Sequence, residues 1–211
     1  MKIRAIVFDF DGTLIDSNQL KYDGYFKLFP ASERHVLVIE EVLSECFEQS
    51  RYIILEKILQ RLGDREPAQL KEEVKLLADR YNDMVVVGAK TCPEKNGAES
   101  VLKRLAPDYK LYVSSTTPEK ALKEIIGFRR WDAYFCGVFG YPHEKSETLR
   151  SIIAQEQLKS DQVLVVGDGK SDRRSAMENR CRFVHVTEDT TVHGLLGLLE
   201  FLELRRNPVS C

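Results

Sequence analysis

The chain has 211 residues, of which 43% are hydrophobic and 30% are charged, and its formal net charge is −2. This length suits one large domain or two small ones, with enough apolar side chains to build a core. The small net charge argues against a general surface for nucleic acid or for an anionic membrane. We therefore expect no nucleic-acid partner and no membrane partner.

From the sequence we expect neither export nor insertion into a bilayer. No apolar run is long enough to cross a membrane, and residues 1–3 lead straight into a strand pattern without the features of a signal peptide. The five cysteines are scattered and lack the spacing of a zinc site or of a disulfide framework. We expect a cytoplasmic protein with reduced thiols.

The first predicted element is an apolar strand at 3–8, and a long interval separates it from the next predicted strand at 110–114. A βαβ unit needs only ~30 residues. Apolar residues recur at helical spacing in two stretches of the interval, 39–54 and 70–88. We predict an all-helical insertion at 17–89, which returns through a linker near 90–97 and covers the end of the first strand like a lid.

The remainder of the chain alternates between strand and helix patterns. Short β-rich apolar runs predict further strands at 110–114, 134–139, 162–166 and 182–186. Helical patterns lie at 97–106, 118–126, 145–157, 170–179 and 191–204. This alternation favours a Rossmann-like α/β fold, in which a parallel sheet forms the middle of three layers. The predicted core comprises residues 1–16 and 90–211.

Two acidic clusters follow predicted strands. Asp9 and Asp11 come directly after the first strand, where alternation places both side chains on one side of the backbone and Gly12 permits a sharp turn. Asp168 and Asp172 follow the fourth strand. Buried carboxylates are costly unless a metal ion, a bound phosphate or a catalytic role accounts for them.

Hydroxyl and amino groups follow two other strands. Residues 114–118 (SSTTP) are suited to bind an anion through hydroxyl and N–H groups, and Lys145 begins a helix after the loop at 140–144. Taken singly, such features are more often a turn, a helix cap or a surface lysine. Because open α/β sheets bind ligands at the carboxyl ends of their strands, their joint occurrence indicates one site.

The charges of this set indicate a divalent cation. Four carboxylates, one lysine and one divalent cation leave a single net negative charge, which still repels a phosphate dianion unless one carboxyl group is protonated. Mg²⁺ prefers few carboxylates, together with water and a substrate phosphate. A nucleophilic aspartate beside a protonated one is a combination suited to phosphoryl transfer.

The motifs resemble those of the haloacid dehalogenase superfamily, in family order and across nearly the whole chain. The resemblance is to its phosphatases with a helical C1-type cap after the first strand, in the branch of phosphoglycolate phosphatase-like and β-phosphoglucomutase-like proteins. Residues 9–17 (DFDGTLIDS) match the first motif. The second, third and fourth motifs correspond to Ser115, Lys145, and Asp168 with Asp172.

This resemblance implies a role for each motif residue. Asp9 would attack phosphorus and form an aspartyl-phosphate, while Asp11 would protonate the leaving alcohol and later take a proton from water. The implied Mg²⁺ ligands are Asp9, the carbonyl oxygen of Asp11, Asp168 and Asp172. The implied phosphate-binding groups are Ser115, the amide of Thr116, and Lys145.

The sequence departs from the family pattern at two places. Lys145 is followed by Ser-Glu where the family often has Pro-x-Pro, which leaves Lys120 and Lys170 as competing lysines. The Ala- and Gly-rich turn after the fourth motif is replaced by residues 178–181, in which Asn179 is suited to the left-handed conformation.

The resemblance leaves more than one function open. Dehalogenases and phosphonoacetaldehyde hydrolases lack an acid at the position of Asp11, so we expect a Mg²⁺-dependent phosphatase that acts on a small phosphorylated metabolite. A sugar-phosphate mutase, which keeps both aspartates, and a non-catalytic phosphate-binding protein on the same fold are the alternatives. Arg51 in the insertion is a candidate for recognising a substrate carboxylate or a second phosphate.

Overall fold

A computed structural model of the chain describes residues 2–47, 49–95, 97–186, 195, 197–199 and 202. The chain divides into two compact units. One unit, Met1–Asp16 with Cys92–Cys211, contains the sheet, and the other, Ser17–Thr91, is helical throughout its described elements. We call them the sheet unit and the helical unit.

A five-stranded parallel sheet forms the centre of the sheet unit. Its strands are, in chain order, β1 Ala5–Phe8, β2 Lys110–Pro118, β3 Gly137–Tyr141, β4 Val163–Gly167 and β5 Arg182–His185. Their order across the sheet is β3-β2-β1-β4-β5, and every neighbouring pair is parallel. The strand order reverses beside β1, which is where open α/β sheets form their ligand crevice.

Eight α-helices have both ends within the described residues, and four of them lie in each unit. The helical unit contains α1 Asn18–Phe26, α2 Glu33–Cys46, α3 Arg51–Leu62 and α4 Pro67–Thr91. The sheet unit contains α5 Ala98–Leu105, α6 Glu119–Phe128, α7 Lys145–Gln155 and α8 Lys170–Glu178. Of the predicted terminal helix at 191–204, residues 195, 197–199 and 202 are helical, and the remainder lies outside the described residues.

Both faces of the central strand are buried, as a parallel sheet requires. On one face, Val7 packs in a cluster with Ile152 of α7 and Ala176 of α8. The side chains of Ile6 and Phe8, which point to the other face, are fully buried as well. The predicted Rossmann-like α/β fold is confirmed.

The helical unit has an apolar core of its own. Ile54 and Ile58, one turn apart on α3, pack in one cluster with Leu43 of α2 and Leu77 of α4. Apolar residues recur at helical spacing throughout 39–54, yet the helix is broken within this stretch, because α2 ends at Cys46 and α3 begins at Arg51. Periodicity continued across the break and concealed it.

The chain leaves the sheet unit and returns to it at adjacent points of its backbone. The N–H of Asp16 donates to the carbonyl of Pro93 at 2.8 Å, and the N–H of Lys95 donates to the carbonyl of Leu14 at 3.0 Å. The Lys95 ammonium also lies 3.1 Å from the Asp16 carboxylate. The two connecting segments therefore run side by side.

Two further observations concern the described residues alone. None of their helices is both long and apolar enough to cross a membrane. Their cysteines form no disulfide with one another: Cys46, Cys92, Cys136 and Cys181.

Candidate active site

The carboxyl ends of three neighbouring strands gather the predicted site residues. β1 lies between β2 and β4, so the residues that follow these strands meet at one edge of the sheet. Asp9 follows β1, and its N–H donates to the carbonyl of Val166 in β4 at 2.8 Å. Ser115 lies near the end of β2, and Asp168 directly follows β4.

Lys145 connects two of the predicted acids. It is the first residue of α7, and its Nζ lies 2.9 Å from Oδ1 of Asp9 and 2.7 Å from Oδ1 of Asp172. Asp9 is 7% exposed and Asp172 is 2% exposed, so these charges depend on each other more than on water. The competing lysines, Lys120 and Lys170, are exposed. The geometry favours Lys145 as the lysine of the site.

Burial governs the protonation of these three groups. Burial raises the pKa of Asp9 well above its usual range, the Asp172 carboxylate raises it further, and Lys145 opposes both effects. Burial also raises the pKa of Asp172, again against Lys145. Burial alone would lower the pKa of Lys145, but the two carboxylates outweigh it and raise that pKa above the value of an ordinary lysine. Lys145 is therefore a cation that balances only one of two acids.

Asp9, Asp168 and Asp172 form a cluster that can bind a metal ion. One carboxylate oxygen from each residue lies within 4.8 Å of the other two. The hydroxyl of Thr13 donates to Oδ1 of Asp168 at 3.1 Å and orients that carboxylate. These carboxylates are hard oxygen ligands, and Lys145 leaves part of their negative charge unbalanced. Both properties fit Mg²⁺. The carboxylate of Asp11 lies outside this cluster.

Gly167, the last residue of β4, allows Asp172 to approach the strand. A Cβ atom at position 167 would lie 2.4 Å from Cγ of Asp172, closer than any side chain permits. The N–H of Gly169 donates to Oδ2 of Asp172 at 3.2 Å, so the carboxylate is held within the first turn of α8. The glycine is thus required for space beside the acid.

Asp11 has a separate set of partners on β2. Its Oδ2 accepts a hydrogen bond of 2.7 Å from the hydroxyl of Thr117 and a longer one of 3.4 Å from the hydroxyl of Ser115. The residue is 8% exposed. Gly12, with φ of 77°, turns the chain immediately after Asp11 in a conformation that favours glycine.

β2 is longer than predicted and irregular at its end. The strand was expected to end at 114, yet Ser114 pairs with Phe139 and Pro118 pairs with Tyr141, so that residues 115–117 bulge between the paired positions. Ser115 and Thr117 are buried and Thr116 is exposed. Buried and exposed side chains therefore alternate through the bulge as they do along an extended strand. As a result, the hydroxyls of Ser115 and Thr117 both face Asp11.

Two residues that sequence reasoning did not assign take part in the site. Thr13 donates to Asp168, and Thr117 donates to Asp11. Both belong to stretches that the sequence singled out, and their hydroxyl groups were the available signal. Their partners are 155 and 106 positions away in the chain, so no local pattern could identify the pairing.

Arg51, the candidate from the insertion, is buried in the helical unit. Its Nη1 donates to Oδ1 of Asn82 at 3.0 Å, and its guanidinium carbon lies 5.0 Å from the centre of the Tyr81 ring. These contacts hold the side chain within its own unit. A part in substrate recognition stays a prediction.

These features define an α/β protein with an acidic site beside the point where its strand order reverses. The chain belongs to the haloacid dehalogenase-like hydrolase family, whose model matches residues 6–186. The match runs from β1 to β5 and includes both acidic clusters. The family predicted from the sequence motifs is confirmed.

Relatives and solved structures agree with this family. Two curated relatives named phosphoglycolate phosphatase, from Psychrobacter arcticus and Photobacterium profundum, are each 24% identical to this chain. The alignments cover 82% of this chain and 78% of the first relative, and 88% of this chain and 83% of the second. The HAD-hydrolase YfnB from Bacillus subtilis, solved with bound magnesium, has a TM-score of 0.75 at 16% identity, covering 96% of this chain and 100% of that chain. The predicted class of enzyme, a phosphatase of this family, is confirmed.

Proposed function

We propose that the protein is a Mg²⁺-dependent phosphomonoester hydrolase that acts on a small phosphorylated metabolite through an aspartyl-phosphate. The position of Asp9 carries the proposal. Its buried carboxylate directly follows the central strand, with the Lys145 ammonium at 2.9 Å and the acids Asp168 and Asp172 beside it. A nucleophile between a cation and a set of metal ligands suits attack on a phosphate dianion, whose charge must be balanced.

The residues that would hold Mg²⁺ are Asp9, Asp168, Asp172 and the carbonyl oxygen of Asp11. When bound, the ion supplies positive charge toward the phosphoryl oxygens and toward the Asp9 carboxylate. Support comes from the three carboxylates within 4.8 Å of one another and from the acid charge that Lys145 does not balance.

In the first half of the reaction, Asp9 is the nucleophile. One of its carboxylate oxygens forms a bond to phosphorus while the bond between phosphorus and the ester oxygen breaks. Asp11 transfers its proton to that ester oxygen, so that a neutral alcohol leaves. The products are an aspartyl-phosphate on Asp9, the free alcohol and an ionised Asp11.

In the second half, water replaces Asp9 on phosphorus. Asp11 takes a proton from the water molecule while the water oxygen forms a bond to phosphorus and the bond between phosphorus and Asp9 breaks. Inorganic phosphate leaves, and both aspartates return to their starting protonation states.

The groups proposed to bind the phosphoryl oxygens are Ser115, the amide of Thr116, and Lys145. The Ser115 hydroxyl is buried beside Asp11, and the Lys145 ammonium lies beside Asp9. Donors of this kind stabilise the charge that spreads over the phosphoryl group during transfer.

The two phosphoglycolate phosphatase relatives make phosphoglycolate the first substrate to test. We further propose that the helical unit acts as a lid that selects the substrate, with Arg51 contributing to recognition, and that the enzyme works in the cytoplasm. Sugar phosphates and nucleoside monophosphates complete the set of small metabolites to compare.

Phosphate release from this panel, with Mg²⁺ or with EDTA, tests the proposal. We expect turnover that requires Mg²⁺ and falls to background in Asp9→Asn, because the nucleophile is lost. Asp79→Asn, the same change at an exposed residue of α4, is the matched control and should retain full activity.

Other outcomes would point to the alternatives. Transfer of phosphate between positions of a sugar, without net release, would indicate the mutase. Binding of phosphate with neither release nor transfer would indicate the non-catalytic protein.

A further inference from the structure

Thr117 contacts both the acid–base residue and a phosphate-binding hydroxyl of the proposed site. Its Oγ1 donates to Oδ2 of Asp11 at 2.7 Å, and its backbone N–H donates to Oγ of Ser115 at 3.1 Å. Thr117 is 3% exposed and Asp11 is 8% exposed, so water competes little for the bond between them. Once Asp11 has given up its proton, the hydroxyl bond is to a carboxylate and is stronger than one between neutral groups.

The backbone fixes where the Thr117 hydroxyl lies. Thr117 is in the bulge that the paired residues Ser114 and Pro118 hold at both ends. Gly140 of β3 packs directly against it, since a Cβ atom at position 140 would lie 2.4 Å from the carbonyl oxygen of Thr117. A β-branched side chain on such a backbone has few rotamers. The hydroxyl is therefore presented from a rigid element toward one point.

Burial of a threonine does not by itself produce such a bond. Thr148 of α7 is 5% exposed, and its Oγ1 has no hydrogen-bond partner within the described part of the chain. The sheet unit thus contains a buried threonine, Thr117, whose hydroxyl bonds the acid–base residue. It also contains a buried threonine, Thr148, whose hydroxyl has no hydrogen-bond partner among the described residues. The pair provides a test and its control.

We propose that Thr117 is a positioning residue for Asp11 in the two proton-transfer steps. The inference rests on the proposed function, in which Asp11 gives its proton to the ester oxygen as the phosphorus–oxygen bond breaks and then takes one from water. A hydrogen bond to Oδ2 fixes the plane of the carboxyl group. It thereby fixes the direction in which the group exchanges its proton with the leaving oxygen.

The dependence on the leaving group distinguishes positioning from support of the fold. Alkoxide leaving groups need a proton, whereas p-nitrophenolate leaves without one. Thr117→Val keeps the shape of the side chain and removes the donor, and Thr117→Ser keeps the donor. The two substrates are p-nitrophenyl phosphate and phosphoglycolate. If the enzyme hydrolyses another alkyl phosphate of the panel faster than phosphoglycolate, that alkyl phosphate is used in its place.

We expect kcat/KM of Thr117→Val for the alkyl phosphate to fall about 10- to 100-fold, part of what a general acid contributes. For p-nitrophenyl phosphate kcat/KM should fall less than about threefold, because it reports the first half reaction. Its kcat should fall more, since water attack still needs Asp11. For Thr117→Ser, kcat/KM for both esters should lie within about threefold of the wild-type value. For Thr148→Val, kcat/KM should be unchanged for both esters.

An equal loss of kcat/KM on both esters would assign Thr117 to the fold and overturn the inference, while the proposed function would stand. A Thr117→Ser protein as slow as Thr117→Val, or the same selective loss in Thr148→Val, would overturn it too. If Thr117→Val does not fold, Thr117→Ala takes its place, and its kcat/KM values are compared with those of Thr117→Ser. A wild type that hydrolyses neither ester would instead refute the proposed function, and this inference with it.

Discussion

At the scale of residues, one buried cation serves two buried acids. Lys145 lies within 3 Å of both Asp9 and Asp172, and burial raises the pKa of each acid despite this neighbour. Removing one member of a buried charged group leaves the others without compensation, which costs more than the group gained by forming. Stability and metal binding should therefore be linked at this site.

Lys145→Met should destabilise the metal-free protein by about 3–5 kcal/mol, because Asp9 and Asp172 lose the cation they share. Urea unfolding at neutral pH with EDTA measures this loss. Lys123→Met makes the same change at an exposed lysine that pairs with Glu119, and its effect should be within about 0.5 kcal/mol. Equal losses in the two variants would contradict the role given to Lys145.

If Mg²⁺ binds at the proposed site, its stabilisation of the protein should grow as the pH rises. Because burial, and then the charge of Asp172, raises the pKa of Asp9, the folded metal-free protein binds this proton more tightly than the unfolded chain does. This group therefore favours folding at low pH, and its contribution is lost as the pH rises through the raised pKa. Mg²⁺ requires the ionised carboxylate, so its effect on Tm should appear over that same range.

Thermal melting with Mg²⁺ or EDTA between about pH 4 and pH 8 checks this expectation, since that range begins near the pKa of an ordinary aspartate. Asp168→Asn should remove the Mg²⁺ effect at every pH, because it deletes one of the three clustered carboxylates. A Tm increase that is the same at all pH values would count against ion binding at Asp9.

At the scale of elements, apolar alternation predicted the strands within a few residues, whereas features set by pairing escaped it. The sequence Thr-Thr-Pro is typical of a turn, and β2 continues through it because β3 pairs with Pro118. Likewise, the end of α2 at Cys46 lies within a continuous helical period. Hydrophobic pattern reports which side of an element is buried, and it carries no information on where a neighbouring strand supports the backbone.

The turn after the fourth motif shows the same limit. The left-handed residue is Arg180, with φ of 57°, and the prediction for Asn179 was wrong, since its φ is −96°. The Asn179 side chain instead donates to the carbonyl and hydroxyl of Ser146 at 3.0 Å and 2.9 Å. It thus connects the end of α8 to the start of α7, next to Lys145. This long-range use of the amide overrides its turn propensity.

Gly167→Ala should separate Asp172 from its place beside β4. The added Cβ would lie 2.4 Å from Cγ of Asp172, so we expect a destabilisation of about 1–3 kcal/mol and a weaker Mg²⁺ effect on Tm. Gly127→Ala in α6 is the control, because its Cβ would meet nothing within 4 Å and alanine favours a helix by about 1 kcal/mol. The two variants should shift Tm in opposite directions, and a common direction would refute the steric argument.

At the scale of the whole molecule, the described residues of each unit include a buried apolar cluster made of that unit's own side chains. The site residues could be assigned from the sequence because the family's motifs occur in order along most of the chain. The contacts inside the insertion could not, because apolar periodicity shows that helices form without showing which pairs of helices pack. Because the helical unit packs an apolar cluster from its own residues, damage to that cluster should stay local.

Ile58→Ala, in the core of the helical unit, should cost about 2–5 kcal/mol through the cavity it leaves. Hydrogen exchange should accelerate within Ser17–Thr91, while β1 and β4 keep their protection. Leu76→Ala, at a residue 59% exposed on α4, should leave exchange unchanged. Loss of protection across the sheet as well would show that the two cores unfold together.

The connecting segments that run side by side have a consequence for the history of such chains. Asp16 and Pro93 are joined by a backbone hydrogen bond, so everything between them is a loop whose ends already meet. Closing a loop at such a point costs little additional entropy when the loop lengthens. Recombination can therefore exchange this segment for another whose ends lie equally close, and neither the strands nor the four acids need to change. If the helical unit selects the substrate as proposed, replacing this one continuous piece of the gene would open an old chemistry to new substrates.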